Sequence, residues 1–161
     1  MKKYLYILII AFVALFSSFN LACSEEKESY TVEHFFDMKF NDMDFKSQVA
    51  LYPEELAKGL MFREKLGDKE SMIFVYESPR QVAFWMKNTK IPLDIGFIDE
   101  SGKLLEVKSM YPHDLTSVPS SSDKVVYCLE VNRGWFYANK IKVGDNLNME
   151  LLKKAISLRN K

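Results

Sequence analysis

Short stretches in which apolar and polar residues alternate recur along most of the chain. Between residues 32 and 52 the alternation forms two rows separated by Asn41-Asp42, which predicts a hairpin or two short strands. Glu100 to Lys103 has the composition of another hairpin turn, between apolar runs that end at Asp99 and begin at Leu104. Strand-length apolar runs also span residues 72–76, 82–86, 93–99, 104–107 and 124–131. The pattern therefore predicts a chain built mainly of short strands.

Three other stretches carry helix signals. Pro53 begins the first, where apolar residues recur at helical spacing until Gly67-Asp68 ends the segment. Asn132 can cap a short second helix over residues 133–138. The stretch from Glu150 to Arg159 has helical spacing and a basic C-terminal end. Many short strands with two or three short helices predict an α+β, β-rich fold, a compact antiparallel barrel or sandwich.

The first 22 residues have the pattern of a secretory signal peptide. A basic start is followed by a nearly continuous apolar run from Tyr4 to Phe19, which is shorter than the roughly 20 residues of a comfortable transmembrane helix. Ala22 before Cys23 resembles a bacterial lipoprotein processing site, although Asn20 stands where such sites carry leucine. We therefore expect residues 1–22 to be removed and Cys23 to be lipidated. A plain cleaved signal and an uncleaved anchor are the alternatives.

The rest of the chain is expected to form one domain, because its length suits a single core. Residues 23–31 predict a lipidated N-terminus and a charged, flexible tether. Residues 32–147 predict the β-rich domain, and residues 148–161 a helical C-terminal extension. The expected location is extracytoplasmic and attached to a membrane through the lipid. A soluble secreted or periplasmic protein is the alternative.

Charge and metal-ligand patterns exclude two classes of function. The chain has 22 basic and 22 acidic side chains, and this balance gives no electrostatic footprint for nucleic acid. The histidines, His34 and His113, lie far apart in sequence, and no Cys-x-x-Cys motif occurs. We therefore expect no nucleic-acid partner, no metal and no cofactor.

Several short motifs occur in the order found in one protein family. They are Gly59-Leu60-Met61-Phe62-Arg63, Met72-Ile73-Phe74, Phe84-Trp85-Met86-Lys87-Asn88-Thr89, Ile91-Pro92-Leu93-Asp94, Phe97-Ile98-Asp99, Leu129-Glu130, Gly134-Trp135 and Gly144-Asp145. From Phe40 to Leu147 the chain resembles the bacterial and archaeal family called domain of unknown function 192. The resemblance implies a compact β-barrel-like α+β domain, often behind a signal or lipoprotein leader, and it implies no particular activity. Ser71 and Arg133 stand where the family usually has glycine and alanine.

The segment from Phe84 to Asp94 holds the densest set of candidate site residues. An apolar run breaks there into a polar turn and resumes as a strand, which can bring Trp85, Asn88 and Asp94 together on a rigid scaffold. Asn88 can equally serve the turn backbone, and Asp94 can hold the turn. Trp85 lies in an apolar run and is expected to be mostly buried, whereas Trp135 beside a glycine is the better surface candidate.

Two charged residues outside that segment complete the candidate site. Arg63 can clamp a carboxylate or phosphate, or pair with Glu130 or Asp94. Alternation in the last strand places Glu130 on one face with Cys128. Glu130 can act as a general acid or base if burial raises its pKa, or it can form an ion pair that closes the barrel. Cys128 is expected to be a buried, inert thiol.

These residues predict a binding module better than an enzyme. A small polar ligand or a cell-envelope component would contact Arg63, Trp85, Asn88, Asp94 and Glu130, with Trp135 at the rim of the pocket. The alternative is a structural or assembly domain that binds a protein partner without a ligand pocket, since a fold alone does not specify function. A further alternative is a metal-free hydrolase that uses Glu130 or Asp94.

Overall fold

The fold is α+β and rich in strands, which confirms the predicted class. The computed structural model describes residues 29–160. The signal peptide, Cys23 and most of the predicted tether therefore lie outside the described residues. The strands are β1 (Phe36–Phe40), β2 (Met43–Ala50), β3 (Glu70–Arg80), β4 (Ala83–Phe84), β5 (Leu93–Asp99), β6 (Leu104–Met110), β7 (Val118–Pro119) and β8 (Val125–Asn132). The helices are α1 (Pro53–Lys58), α2 (Trp135–Ala138) and α3 (Met149–Arg159).

Six strands form the main sheet in the order β1-β2-β3-β8-β5-β6, and β4 pairs with β7 in a separate ribbon. The predicted hairpins β1–β2 and β5–β6 both form. The pairing is antiparallel except between β2 and β3, which run parallel. A parallel pair needs a crossover connection, and residues 51–69, which contain α1, provide it. This crossover carries much of the candidate site.

A short segment near the C-terminus links the two edges of the sheet. The N–H of Asn148 donates to the carbonyl of Lys39 in β1 at 2.8 Å, and the N–H of Leu147 donates to the carbonyl of Gly102, before β6, at 2.9 Å. Residues 144–148 therefore occupy backbone groups at both edges and make the open sheet barrel-like at this end. Such cover protects edges that would otherwise pair with other chains.

The sheet separates two apolar clusters, because successive residues of a strand point to opposite faces. The first cluster lies under α2 and α3 and contains Phe40, Ile73, Trp135 and Leu152. The second lies under the α1 crossover and the segment before β5, and it contains Leu60, Met72, Phe74, Met86 and Phe97. Because both faces are covered by chain, the central strands are buried throughout much of their length.

Three elements differ from the sequence pattern. The first helix ends at Lys58, earlier than predicted, because Gly59 takes a positive φ of +47° that interrupts the helical backbone. Strand β3 continues to Arg80, beyond the predicted run at residues 72–76, with an irregular register against β8. Asn132 does not cap α2, since Gly134 takes the N-cap position. The Asn132 side chain instead donates to the carbonyls of Leu66 and Gly67.

Helix α3 is fixed to the body of the domain by one buried arginine. The Arg159 guanidinium donates to the carbonyl of Tyr30 at 2.7 Å, to the carbonyl of Val49 at 3.2 Å and to the carboxylate of Glu55 in α1. Leu152 and Ala155 of the same helix are buried in the first cluster. The segment after residue 148 thus packs as part of the core. Within residues 29–160, no helix has the length and apolar character needed to cross a bilayer.

Candidate functional site

A cleft beside α1 is the main concave feature near the predicted site residues. It consists of an outer hollow of about 490 Å³ and an inner hollow of about 210 Å³, which share Lys58, Gly59 and Met61 as lining residues. We call the two hollows together the α1 cleft. Gly59 lies where they meet, and a side chain there would come within 3.0 Å of the Phe74 ring. Glycine at this position therefore leaves room for the Phe74 ring and adopts the positive φ of +47° without strain.

Aromatic side chains form much of the wall of the inner hollow. Phe74 and Tyr76 come from β3, and Phe84 and Trp85 come from the end of β4 and the residue after it. The rings of Phe74 and Phe84 pack edge to face with centroids 5.0 Å apart, which holds this part of the wall in place. Trp85 is 48% exposed, and the Lys87 ammonium lies 5.1 Å from its ring centroid. The inner hollow therefore combines a fixed apolar wall with an accessible indole at its mouth.

Glu130 is the acidic group that lines the inner hollow. Its strand neighbours in register are Met72 on β3 and Ile95 on β5, so its side chain lies on the face of the second cluster. The residue is 5% exposed, and its Oε2 atom is buried without a hydrogen-bond partner. Oε2 lies 3.7 Å from the place that a Cβ on Gly59 would occupy. The carboxyl group thus lies directly below the crossover that forms the cleft.

Burial changes the ionisation of Glu130 and its neighbours. Removal from water disfavours the carboxylate and raises the pKa of Glu130 to about 8, so the group is a neutral carboxylic acid at pH 7. Burial also raises the pKa of Tyr76, and the nearby Cys128 and Glu130 raise it further. Burial first and Glu130 second raise the pKa of the Cys128 thiol well above its usual range. Cys128 is therefore a buried, protonated thiol, as the sequence predicts, and a poor nucleophile.

Arg63 lines the outer hollow and is not paired with Glu130 or Asp94. Its guanidinium donates to the Gln48 side chain and lies 3.5 Å from the Glu33 carboxylate. Both of these contacts come from the N-terminal half of the chain. The Arg63 side chain is only partly exposed and is fixed by these contacts. Its guanidinium is thus a fixed positive charge on the wall of the cleft, and its exposed part can bind an acidic group.

Asn88 shapes the mouth of the cleft through its backbone. It adopts a positive φ of +56°, which asparagine tolerates better than most residues, and its carbonyl accepts a 2.8 Å hydrogen bond from the N–H of Phe62. Phe62 also has a positive φ, of +66°, and its side chain is 65% exposed. An exposed aromatic residue in a strained conformation is a feature that functional sites retain.

Asp94 lies on the opposite face of the sheet from Glu130. Its partner in register on β8 is Val131, which belongs to the first cluster. One carboxylate oxygen accepts from the Ser109 hydroxyl at 2.7 Å, and the other accepts from the N–H of Gly134 at 2.7 Å. Asp94 therefore joins β6 to the start of α2. The structure does not bring it to the α1 cleft.

The two tryptophans have the reverse of the expected exposures. Trp135 is 5% exposed and its ring packs edge to face against Phe45 at 5.3 Å, so our prediction of a tryptophan at the surface rim was wrong. Gly134, with a φ of +86°, turns the chain so that Trp135 enters the first cluster. Trp85 is half exposed because it follows the two-residue strand β4, outside the main sheet.

The structure thus brings Arg63, Trp85 and Glu130 to one cleft, with Asn88 acting on its mouth through the backbone. Sequence reasoning missed Gly59, Phe62, Tyr76 and Phe84. The alternation along β3 was the available signal for Tyr76, because Met72, Phe74 and Tyr76 share the face that Glu130 occupies on the next strand. Across residues 29–160, no cluster of three or more histidine, cysteine, aspartate or glutamate residues could hold a metal ion.

Known proteins similar to this chain share its fold. The family model of domain of unknown function 192, described as "Uncharacterized ACR", matches residues 36–149. The crystal structure of a protein of unknown function from Novosphingobium aromaticivorans DSM 12444 is 34% identical, with a TM-score of 0.67, over 75% of this chain and 91% of that one. A "putative transcription regulator" from Sinorhizobium meliloti 1021 is 29% identical, also with a TM-score of 0.67, over 75% and 95% of the respective chains. No curated protein matches.

Proposed function

The chain belongs to the family called domain of unknown function 192, and from this premise we propose that it is an extracytoplasmic, lipid-anchored module that binds a small ligand in the α1 cleft. The observation that carries the proposal is the Glu130 Oε2 atom, which is buried without a partner in a hollow whose mouth holds a half-exposed tryptophan. Buried polar atoms in proteins are normally satisfied, and exceptions mark sites where a missing group is expected.

The shape and chemistry of the cleft support this proposal. Ligand sites are preformed hollows with mainly apolar walls and a few polar groups that fix orientation. The inner hollow has aromatic walls and the Glu130 carboxyl group, Lys58 lines both hollows, and the outer hollow adds Arg63. A ligand that fits this cleft has a flat or apolar part for the aromatic walls and a hydrogen-bonding end for the polar groups. Sugars, short peptides and other envelope components contain both parts.

Trp85→Ala is expected to weaken binding of such a ligand at least tenfold, because a tryptophan that contacts a ligand commonly contributes more than about 1.4 kcal/mol. The check is a calorimetric titration of the purified full-length chain with the hits of a thermal-shift screen of envelope sugars, peptides and anions. The matched control is Tyr111→Ala, which removes another half-exposed aromatic ring that carries a cation on its face. Equal affinities of the two variants would place the ligand outside the cleft.

The proposed location rests on the pattern of the leader. Cys23→Ser is expected to move the protein from the membrane fraction to the soluble fraction, because an acyl chain gains about 0.8 kcal/mol for each methylene that enters the bilayer. Fractionation of cells that express the two forms, followed by immunoblotting, measures this. Mass spectrometry of the mature N-terminus provides the second readout. Membrane retention of the serine variant would instead support an uncleaved anchor.

A second candidate function is that of an assembly domain that meets a protein partner. Tyr111 and Leu115 favour it, since they are 58% and 64% exposed on one loop. That loop is bonded to the segment after β4, where the N–H of Met86 donates to the carbonyl of Asp114 at 2.8 Å. Under this function, Tyr111→Ala and Leu115→Ser would abolish binding of the protein partner in cells, while ligand binding in vitro stays unchanged. Hydrolysis through Asp94 has little support, because both of its carboxylate oxygens accept hydrogen bonds.

A further inference from the structure

We propose that the inner hollow of the α1 cleft binds a primary alkylammonium group, with its N–H donors on the Glu130 carboxylate and its alkyl part against the aromatic wall. This inference rests on the proposed function and specifies its ligand class. Oε2 of Glu130 is the unpartnered atom, and it accepts hydrogen bonds when the group is ionised. Phe74, Tyr76, Phe84 and Trp85 surround the space beside it.

The charges around the inner hollow leave Glu130 without a counter-ion. Lys58 is the other charged residue that lines this hollow, and its side chain is exposed in the last turn of α1. Within residues 29–160, no ion pair reaches Glu130. A buried carboxylate without a partner is costly, so the group keeps its proton in the free protein. A ligand cation would supply the missing charge and allow the proton to leave.

The aromatic wall suits a cation as well as an alkyl chain. The faces of tryptophan and tyrosine rings attract ammonium and guanidinium groups. Two rings of this wall already have such neighbours, since Lys87 lies 5.1 Å from the centroid of Trp85 and Arg80 lies 5.9 Å from that of Tyr76. A buried carboxyl group beneath aromatic rings therefore offers a positive ligand both a negative partner and ring faces to pack against.

Binding and deprotonation of Glu130 are then a single exchange. The ammonium ion enters, the Glu130 carboxyl group releases its proton to solvent, and the complex contains one carboxylate and one cation. The ionisable groups that face Glu130 are Tyr76 on β3, Cys128 on β8 and Lys58 on α1. Burial keeps the Tyr76 hydroxyl and the Cys128 thiol protonated across the pH range of the experiment. The released proton is thus expected to come from Glu130.

The test titrates the full-length chain with n-butylammonium and with 1-butanol, its uncharged counterpart. We expect n-butylammonium to bind and 1-butanol to bind at least tenfold more weakly. A pH electrode in unbuffered solution should record close to one proton released for each cation bound at pH 7. The Kd of n-butylammonium should fall about tenfold for each unit of pH between 5.5 and 7.5 and become constant above pH 8.5. Tetramethylammonium, which has no N–H donor, should bind more weakly than n-butylammonium.

Two variants complete the experiment. Glu130→Gln, with folding checked by circular dichroism, should lose cation binding at least thirtyfold and release no proton. Trp85→Ala, at an exposed position, should weaken binding but keep the proton release. Equal binding of 1-butanol and n-butylammonium without proton release would overturn the ammonium assignment and leave the proposed binding function intact. Failure of every ligand, including the sugar and peptide hits, would overturn both.

Discussion

Replacing Glu130 with glutamine is expected to stabilise the protein by about 5 kcal/mol at pH 8.5 while changing its stability little at pH 5. The carboxyl group is almost completely buried and has an unpartnered oxygen, so its ionised form has no stabilising neighbour. Glutamine has nearly the same shape and stays neutral at every pH. The difference between the two proteins therefore measures the cost of the buried charge.

The sign follows from the pKa of Glu130 in the two states. Burial raises its pKa to about 8 in the folded protein, from the ordinary value of 4.5 that applies when the chain is unfolded. The full stability contributed by the protonated group is thus present below pH 4.5. It is lost progressively as the pH rises towards 8, because the unfolded chain releases the proton first. Above pH 8 the loss is complete and the free energy of unfolding no longer depends on this group.

Urea unfolding of both proteins at several pH values between 5 and 9 measures this difference, because the free energy of unfolding falls linearly with urea. Other groups titrate in both proteins and cancel in the comparison. Glu54→Gln is the matched control, since it removes an exposed carboxylate from α1 and should not separate the curves. Parallel curves for wild type and Glu130→Gln would show that Glu130 is ionised in the folded protein at neutral pH. Binding of an ammonium ion would then have no Glu130 proton to release.

The sequence predicts the strands of this protein well because their signal is local. Alternation with a period of two reports which residues of a strand share a face, and it identifies β1, β2 and β8 without any knowledge of their partners, while strand-length apolar runs identify β5 and β6. The same period correctly places Cys128 and Glu130 on one face of β8. The local geometry of a strand is sufficient to predict which of its residues share a face.

The exposure of the tryptophans could not be read in the same way, because it depends on distant parts of the chain. Trp85 follows an apolar run, but the ribbon formed by β4 and β7 leaves it half exposed. Trp135 follows a glycine, but Phe45, from the other end of the chain, packs against it. Asp94 likewise lies close to Trp85 in sequence and on the other face of the sheet from Glu130. A turn motif predicts that residues are near one another, not which side of a sheet they occupy.

Arg159→Met is expected to destabilise the protein by about 3–5 kcal/mol, the range typical of breaking a buried ion pair on one side. The Arg159 side chain is buried and joins three segments that are far apart in sequence, through Tyr30, Val49 and Glu55. Methionine can fill the space of the alkyl stem, but it removes the donors that Arg159 supplies to two carbonyls and the cation that it supplies to the Glu55 carboxylate. Sequence alone gave no sign of this role, since residue 159 lies in a predicted C-terminal extension.

The contribution of Glu55 to the stability of the protein is expected to depend on pH. Burial acts to raise its pKa, but hydrogen bonds from the N–H groups of Leu51 and Tyr52 and from Arg159 outweigh it and lower the pKa below its ordinary value. The stability from this pair is therefore present above pH 4.5 and is lost as the pH falls through the lowered value. The difference between wild type and Arg159→Met should accordingly shrink in acid.

Urea unfolding at pH 7 and at pH 3 measures both effects, with Arg133→Met as the matched control. Arg133 lies over the ring of Tyr111 at 4.9 Å, as Arg159 lies over that of Tyr52 at 5.6 Å. Because Arg133 is exposed, its replacement should cost less than about 1 kcal/mol. A double-mutant cycle with Glu55→Gln isolates the ion pair from the two carbonyl contacts. If Arg159→Met costs no more than Arg133→Met, then the apolar face of α3, with Leu152 and Ala155, is sufficient to hold this helix. The contacts of Arg159 with Tyr30, Val49 and Glu55 would then contribute nothing measurable to the stability of the fold.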